Sequence, residues 1–398
     1  MEEEKNKKIK RGKVDYTLIF IVIFLIGFGL VMLYSTSSYM ATLEQKDGLY
    51  YLKRQLKSLA VGLAAMIVVS MIPYKFYLKA RLYLVAMAVA IASVLLVLTP
   101  LGHDSHGATR WIYIGDYSIQ PAEICKVCVI VFMAAMLSKM SKSVRKCWKG
   151  FWIPMLPVGI VCLLILFVTK NLSSAIIIGL IAVTMVAVAE SKNIWPPITY
   201  IGFVAICVIA VLLVVSGKLP AKISYRFERI LAWLDPNQYA DGTGLQTLQS
   251  LYGIGSGGIF GKGLGKSMQK LGSLPEANND MIFSIICEEL GLFGGIAVIM
   301  MYVLLLFRLK SITNYCEDAF GNLLVTGVFC NFALQVIMNI GVATNSIPNT
   351  GVSLPFISYG GSSVIFLLIE IGLVLSVSRY AVFTPPKPES EESDAKTD

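Results

Sequence analysis

The sequence predicts an all-α integral membrane protein of ten transmembrane helices, with a large extracytoplasmic loop between spans seven and eight. Three observations carry that prediction. The chain is 56% hydrophobic and 15% charged, with mean hydropathy +0.70, and so has more apolar surface than a soluble core can hide. Apolar stretches of about 17 residues or more, long enough to cross a bilayer, recur ten times. The basic residues of the short loops collect on one side, as the positive-inside rule requires, with 20 of the 34 on the predicted cytoplasmic face.

In chain order, residues 1–14 form a basic cytoplasmic tail carrying Lys5, Lys7, Lys8, Lys10, Arg11 and Lys13. Residues 15–382 form one polytopic membrane domain, with spans at about 16–36, 56–72, 82–99, 121–138, 153–169, 172–189, 198–216, 281–307, 322–343 and 362–379. The first span is too long, and lacks the small-residue cleavage site, for a removable signal peptide. The 139–150 loop carries Lys139, Lys142, Arg145, Lys146 and Lys149, which places it with both termini in the cytoplasm. The 217–279 loop then lies outside. Residues 383–398, opening on Pro385-Pro386-Lys387-Pro388 and rich in Glu and Ser, are expected to be a disordered cytoplasmic tail. The net charge of +9 is a topology signal, and no basic-aromatic stripe points to nucleic acid. The eight cysteines fall in spans or cytoplasmic loops, so no disulfide framework is implied, and Cys125-x-x-Cys128 lacks the second pair a zinc site needs.

Asp280 stands where the polar loop enters the apolar run Met281-Ile282-Phe283. A carboxylate at that boundary is costly to desolvate, which raises its pKa and suits it to proton transfer. The four-residue spacing of Asp280, Ser284 and Glu288 puts them on one helical face, while Glu289 points away. The competing reading is that Asp280 only caps its helix.

Three outward segments are unusual. GATRWIYIGDYSIQPAEICK (107–126) carries Arg110 and Trp111 and enters its span through Gln120-Pro121; Glu123 and Lys126 follow three apart, where opposite charges should pair, either structurally or for substrate. In the long loop, YRFERILAWLDP (225–236) places Arg226 and Arg229 with Trp233 on one face of a membrane-surface helix. The following GLQTLQSLYGIGSGGIFGKGLGKS (244–267) imitates nucleotide-binding motifs, but Phe260 stands where a P-loop needs glycine and no strand precedes it. Its glycines are read instead as letting the loop fold over a lipid head group. The third segment, PNTGVSLPFISYGGSSVIF (348–366), is irregular backbone at membrane depth, which must be buried or line a wet cavity. His103 and His106 form an H-x-x-H with no third ligand in view.

These segments, with LPEANNDMIFSIICEELGLFGG (274–295) and TGVSLPFISYGGSS (350–363), resemble the SEDS family of polytopic membrane proteins (FtsW, RodA and SpoVE) over residues 14–380, and most resemble FtsW-like members of Gram-positive bacteria. The resemblance implies a peptidoglycan glycosyltransferase that polymerises lipid II (undecaprenyl-pyrophosphate disaccharide-pentapeptide) into glycan strands during cell division. The family's acidic residue falls on Asp280, expected to be the catalytic general base. Expected substrate-binding residues are Arg110, Trp111, Glu123, Lys126, Arg226, Arg229, Gln246, Lys266, Glu288, Pro355, Ser358, Tyr359 and Ser362. Glu288 is expected to tune Asp280 or to pair with a basic residue of another span. A divalent cation (Mg or Mn) joins the basic residues as a candidate to offset pyrophosphate charge; no nucleotide cofactor is expected. The implied partners are a class B penicillin-binding protein and other divisome membrane proteins, and the implied place is the bacterial plasma membrane at the septum. Ala122, Asn171 and Met281 depart from common Ser, Asp and Phe in relatives; Asn171 argues against a mechanism needing a carboxylate there. The alternatives are a lipid II flippase, for which Glu123, Lys126, Glu288 and Glu370 would mark a pathway, an elongation or sporulation polymerase, and a division scaffold. No inverted repeat is evident between the halves.

Overall fold

The computed structural model describes residues 14–379 apart from 80, 101, 106–107, 115–116, 191, 216–223 and 273. Residues 1–13 of the predicted N-terminal tail, the whole predicted C-terminal tail, His106 and the opening of the long loop lie outside the described residues, as do the side chains of His103 and Arg226.

The helices are α1 (Tyr16–Gln45), α2 (Tyr50–Met71), α3 (Lys75–Lys79), α4 (Leu82–Leu95) and α5 (Pro121–Lys139). Then come α6 (Lys142–Lys146), α7 (Trp148–Phe167), α8 (Leu172–Ala189), α9 (Trp195–Val215), α10 (Ser224–Leu234) and α11 (Leu245–Gly257). The chain closes with α12 (Ile282–Tyr315), α13 (Ala319–Ala343) and α14 (Gly361–Ser378). Among the described residues, eight helices (α1, α2, α5, α7, α8, α12, α13 and α14) are long and apolar enough to cross a membrane. Shorter apolar stretches, Leu82–Leu98 and Trp195–Ile209, occupy the two remaining predicted spans.

The prediction of an all-helical chain needs one correction. Between α4 and α5 the chain forms a three-stranded antiparallel meander of β1 (Gly102–Ser105), β2 (Ala108–Ile114) and β3 (Tyr117–Ile119). The Ala-Thr-Arg-Trp-Ile-Tyr-Ile run of β2 is rich in the β-branched and aromatic residues that favour an extended ribbon. Pairing of Ile112 with Ile119 leads the chain back to Pro121, where proline at the first helical position starts α5.

At the centre, α13 packs against α5, α8, α12 and α14. The long loop is no free excursion, because α11 lies along α12. Helix α12 breaks at Gly291 (φ 67°, ψ −166°). In an unbroken helix Leu292 and Phe293 would donate to the carbonyls of Glu288 and Glu289. Here Lys262 N and Gly263 N donate to those carbonyls at 2.9 Å each, while Leu292 N and Phe293 N donate to Gly258 O and Ile259 O. The loop thus replaces the lost helical bonds, as backbone at membrane depth demands. The approach is so close that a Cβ on Gly261 would lie 2.2 Å from Glu289 O. Gly257 and Gly261 therefore let the loop seat directly on α12.

Two ion pairs staple this seat, each on a fully buried carboxylate of α12. Glu288 accepts from Lys262 Nζ at 2.7 Å, from Ser267 Oγ, and from the N–H groups of Met268 and Gln269. Glu289 pairs with Lys270 at 2.8 Å and accepts from Ser35 Oγ of α1. The expectation that Glu288 would tune Asp280 or meet a base from another span is corrected: its cation comes from the loop, because α12 is broken just beyond it.

Candidate functional site

Asp280 lies in the turn before α12, and the helix cap is Met281, which makes no side-chain capping bond. Asp280 is therefore no capping residue. The residue is 9% exposed, and its carboxylate accepts from Gln246 Nε2 of α11 at 3.2 Å. Gln246 is held by Asn349 Nδ2, which donates to Gln246 Oε1 at 2.6 Å. The other carboxylate oxygen faces Gly351 (φ +65°), 3.6 Å from where a Cβ would stand. Beneath, Asn339 Nδ2 of α13 donates to both Asp280 O and Val352 O at 2.8 Å, tying the two strands of the site together.

Burial is the main force pushing the Asp280 pKa up from 3.8 to about 7, and the nearby Glu276 carboxylate adds to it. The Gln246 hydrogen bond and the Arg229 charge oppose the rise. A carboxyl poised near neutrality can take up and release a proton at working pH.

The irregular 348–360 segment forms the opposing wall. Ser358 Oγ donates to Asn279 O at 2.5 Å and accepts from Leu354 N, and Tyr359 N donates to Asn278 O at 2.8 Å. Pro355 O accepts from Tyr302 OH of α12 at 2.6 Å. Of the predicted substrate residues, Ser358 and Tyr359 thus clamp the turn that carries Asp280, while Pro355 ties the wall to α12. Arg229 donates to Asn349 O at 3.4 Å and Trp233 Nε1 to Asn345 O at 3.0 Å, so α10 docks on the same wall.

Glu123 and Lys126 pair at 2.7 Å, as their spacing predicts, and both are nearly enclosed. They line a polar cavity of about 50 Å³ with Gln120, Asn171, Gln335 and Gly351. Gly351 lines the cavity and also faces the Asp280 carboxylate, so it stands between the two. Ser362 adjoins through its Oγ, which accepts from Gln120 N at 3.2 Å. Arg110 reaches from the meander to Lys170 O, between α7 and α8, at 3.5 Å, with Trp111 beside it on β2. Glu288 and Lys266 are not brought in: Glu288 is consumed by the loop staple, and Lys266 is exposed on the loop. Asn339, Asn349, Gly351 and Gln335 were not singled out from sequence, although Asn331, Gln335 and Asn339 recur every four residues in an otherwise apolar span.

Among the described residues no three His, Cys, Asp or Glu side chains gather as a metal site would require. The residues present thus supply no ready-made cage for the expected divalent cation.

The chain matches the FtsW, RodA and SpoVE family of cell cycle proteins over residues 16–382. It is 36% identical over 379 residues to the probable peptidoglycan glycosyltransferase FtsW of Trichlorobacter lovleyi, covering 95% of this chain and 96% of that one. Against the Bacillus subtilis protein of the same description it is 37% identical, covering 95% and 93%. Stage V sporulation protein E of Bacillus subtilis is 35% identical, with 94% and 99% covered. Among solved structures, a chain described under structural coordination of polymerization and crosslinking by a peptidoglycan synthase complex aligns with TM-score 0.72 and 28% identity, over 93% of this chain and 99% of that one. RodA of Thermus thermophilus aligns with TM-score 0.62 and 26% identity, over 93% and 98%. With matches of this length, and with the Asp280 wall and the Glu123–Lys126 cavity built from the motifs that suggested it, the chain belongs to the FtsW, RodA and SpoVE family, the SEDS family.

Proposed function

We propose that this chain is a peptidoglycan glycosyltransferase that polymerises lipid II in the bacterial plasma membrane, and that it does so in cell division. The observation that carries the reading is Asp280: a buried carboxyl, poised at about 7, fixed by Gln246 and set beside Gly351, which lines the polar cavity. The 4-hydroxyl of one sugar attacks the anomeric carbon of the next, and undecaprenyl pyrophosphate leaves. Asp280 takes the hydroxyl proton, a contribution of about a hundred- to ten-thousandfold in rate. Arg229, close enough to act on the charge of Asp280, and Lys126 in the cavity are the described cations placed to offset charge growing on the pyrophosphate. Relatives described as glycosyltransferase FtsW support the division role over elongation, and the relative solved in a peptidoglycan synthase complex supports pairing with a class B penicillin-binding protein.

The test is reconstitution of the purified chain in vesicles with fluorescent lipid II, with and without that partner. Glycan chains support the proposal; lipid II that crosses the bilayer unpolymerised supports a flippase; neither product leaves a scaffold and overturns the enzyme reading.

A further inference from the structure

The hydrogen bond that Gln246 gives to Asp280 is the last of a short chain of amides, and that chain begins at a backbone group. Gly351 N donates to Asn349 Oδ1 at 3.2 Å, closing a turn that asparagine favours because its amide oxygen reaches the N–H two residues on. Asn349 Nδ2 donates to Gln246 Oε1 at 2.6 Å, and Gln246 Nε2 donates to Asp280 Oδ1 at 3.2 Å. Arg229 holds Asn349 separately, through its main-chain carbonyl at 3.4 Å, so a change of the Asn349 side chain leaves that bond in place. The charges acting on Asp280 are Glu276 of its own turn and Arg229 of α10, and the Glu123–Lys126 pair of α5 lines the cavity on which Gly351 borders. Helices α11 and α13 and the 348–360 wall carry no charged residue.

An amide has a donor end and an acceptor end, so a chain of amides has a direction, set where it meets a group that can act in only one way. A backbone N–H can only donate, whatever the pH. It turns the Asn349 oxygen towards Gly351 and the Asn349 nitrogen towards Gln246, so the Gln246 oxygen is taken and its nitrogen faces Asp280. Pro275 O, which can only accept, lies 3.5 Å from the same nitrogen and agrees with that direction. Asp280 Oδ1 therefore meets a donor in either protonation state, and Oδ2, turned towards Gly351 of the cavity wall, is the oxygen the relay leaves for a proton. We propose that Asn349 is a positioning residue for the general base: it fixes which end of the Gln246 amide faces Asp280, and without it the carbonyl end competes for that place. The proposal rests on the glycosyltransferase reading above, in which Asp280 takes the hydroxyl proton. A carbonyl set against a carboxylate disfavours the charged form that must accept that proton, whereas an N–H favours it.

Two observables read the relay in the full chain: the pH profile of glycan polymerisation, and the melting of each variant against the same variant carrying Asp280→Asn. Gln246→Leu removes the donor, the carboxylate is less favoured, and the acid limb of the profile moves up by about one pH unit. Asn349→Ser keeps an oxygen for the Gly351 N–H but is too short to reach Gln246, and the acid limb moves the same way by a smaller step. In the Gln246→Leu background Asn349→Ser adds no further shift, because its route to Asp280 runs through that amide. An unmoved acid limb in Asn349→Ser overturns the relay, as does a shift that adds in full to that of Gln246→Leu. A merely structural loss would lower yield and melting temperature at every pH and leave the limb where it is. Should Gln246→Leu not fold, Asn349→Ser decides alone. If the wild type makes no polymer, the glycosyltransferase reading fails and melting decides the relay: the pH at which the gap to the Asp280→Asn partner stops widening moves up in Asn349→Ser, and a fixed pH overturns it.

Discussion

Replacing Asp280 with Asn should stabilise the protein, and increasingly so as pH rises. The carboxyl is raised from 3.8 to about 7 by burial, so the folded state holds its proton more tightly than the unfolded chain does. Where the folded state binds more protons, stability falls as pH climbs, here through the window from 3.8 to about 7. Each pKa unit is worth about 1.4 kcal/mol, so between about pH 5 and pH 8 the wild type loses about 3 kcal/mol from this group. Asn has no proton to lose, and it can still accept from Gln246 Nε2 through Oδ1. Melting of wild type and Asp280→Asn in one detergent, across that pH range, reads the effect directly. The gap between the curves should widen from pH 5 to about pH 7 and level off above it, with the variant higher. Parallel curves would refute the claim that Asp280 is held as a desolvated, near-neutral acid.

The Glu123–Lys126 pair, at 2.7 Å and almost without exposure, should not tolerate loss of one partner: Lys126→Met or Glu123→Gln leaves a buried charge unpaired and costs about 3–5 kcal/mol, whereas exchanging the two residues recovers much of it. Melting temperatures of the two single variants and the exchange check this; single variants that melt normally but lose polymerisation would assign the pair to substrate alone. Single cysteines at the exposed positions Asn237 and Ser143, in a chain freed of its eight native cysteines, should label oppositely with an impermeant thiol reagent applied to intact cells. Equal labelling would contradict the placing of the long loop outside and the 139–150 loop inside.

The positions of the apolar helices were legible because bilayer thickness sets a length that simple hydropathy detects. Asp280 was legible for a related reason, since a carboxylate at the junction of a polar loop and an apolar run stands out against its neighbours. The Glu123–Lys126 pair lay within one helical turn, so spacing alone predicted it. What escaped was tertiary. Gln246 meets Asp280 across 34 residues, and Asn349 meets Gln246 across 103, distances at which no periodicity speaks. The break at Gly291 was hidden inside a continuous apolar run, and its compensation by loop residues 258–263 is visible only once the loop is seen lying on α12. The short meander escaped because β2 spans only Ala108–Ile114, too few residues for alternation to compete with the surrounding hydropathy signal. Asn331, Gln335 and Asn339 did carry a signal, their four-residue spacing, but which neighbours that face would meet depends on how α13 is turned in the bundle.

The catalytic assignment is tested most directly by glycan output from purified wild type and Asp280→Asn on fluorescent lipid II, with lipid II binding measured on the same preparations. The variant keeps the shape and the Gln246 hydrogen bond but cannot take up a proton, so polymer should fall by about two to four orders of magnitude while binding persists. Undiminished polymerisation by the folded variant would contradict the assignment of Asp280 as the general base.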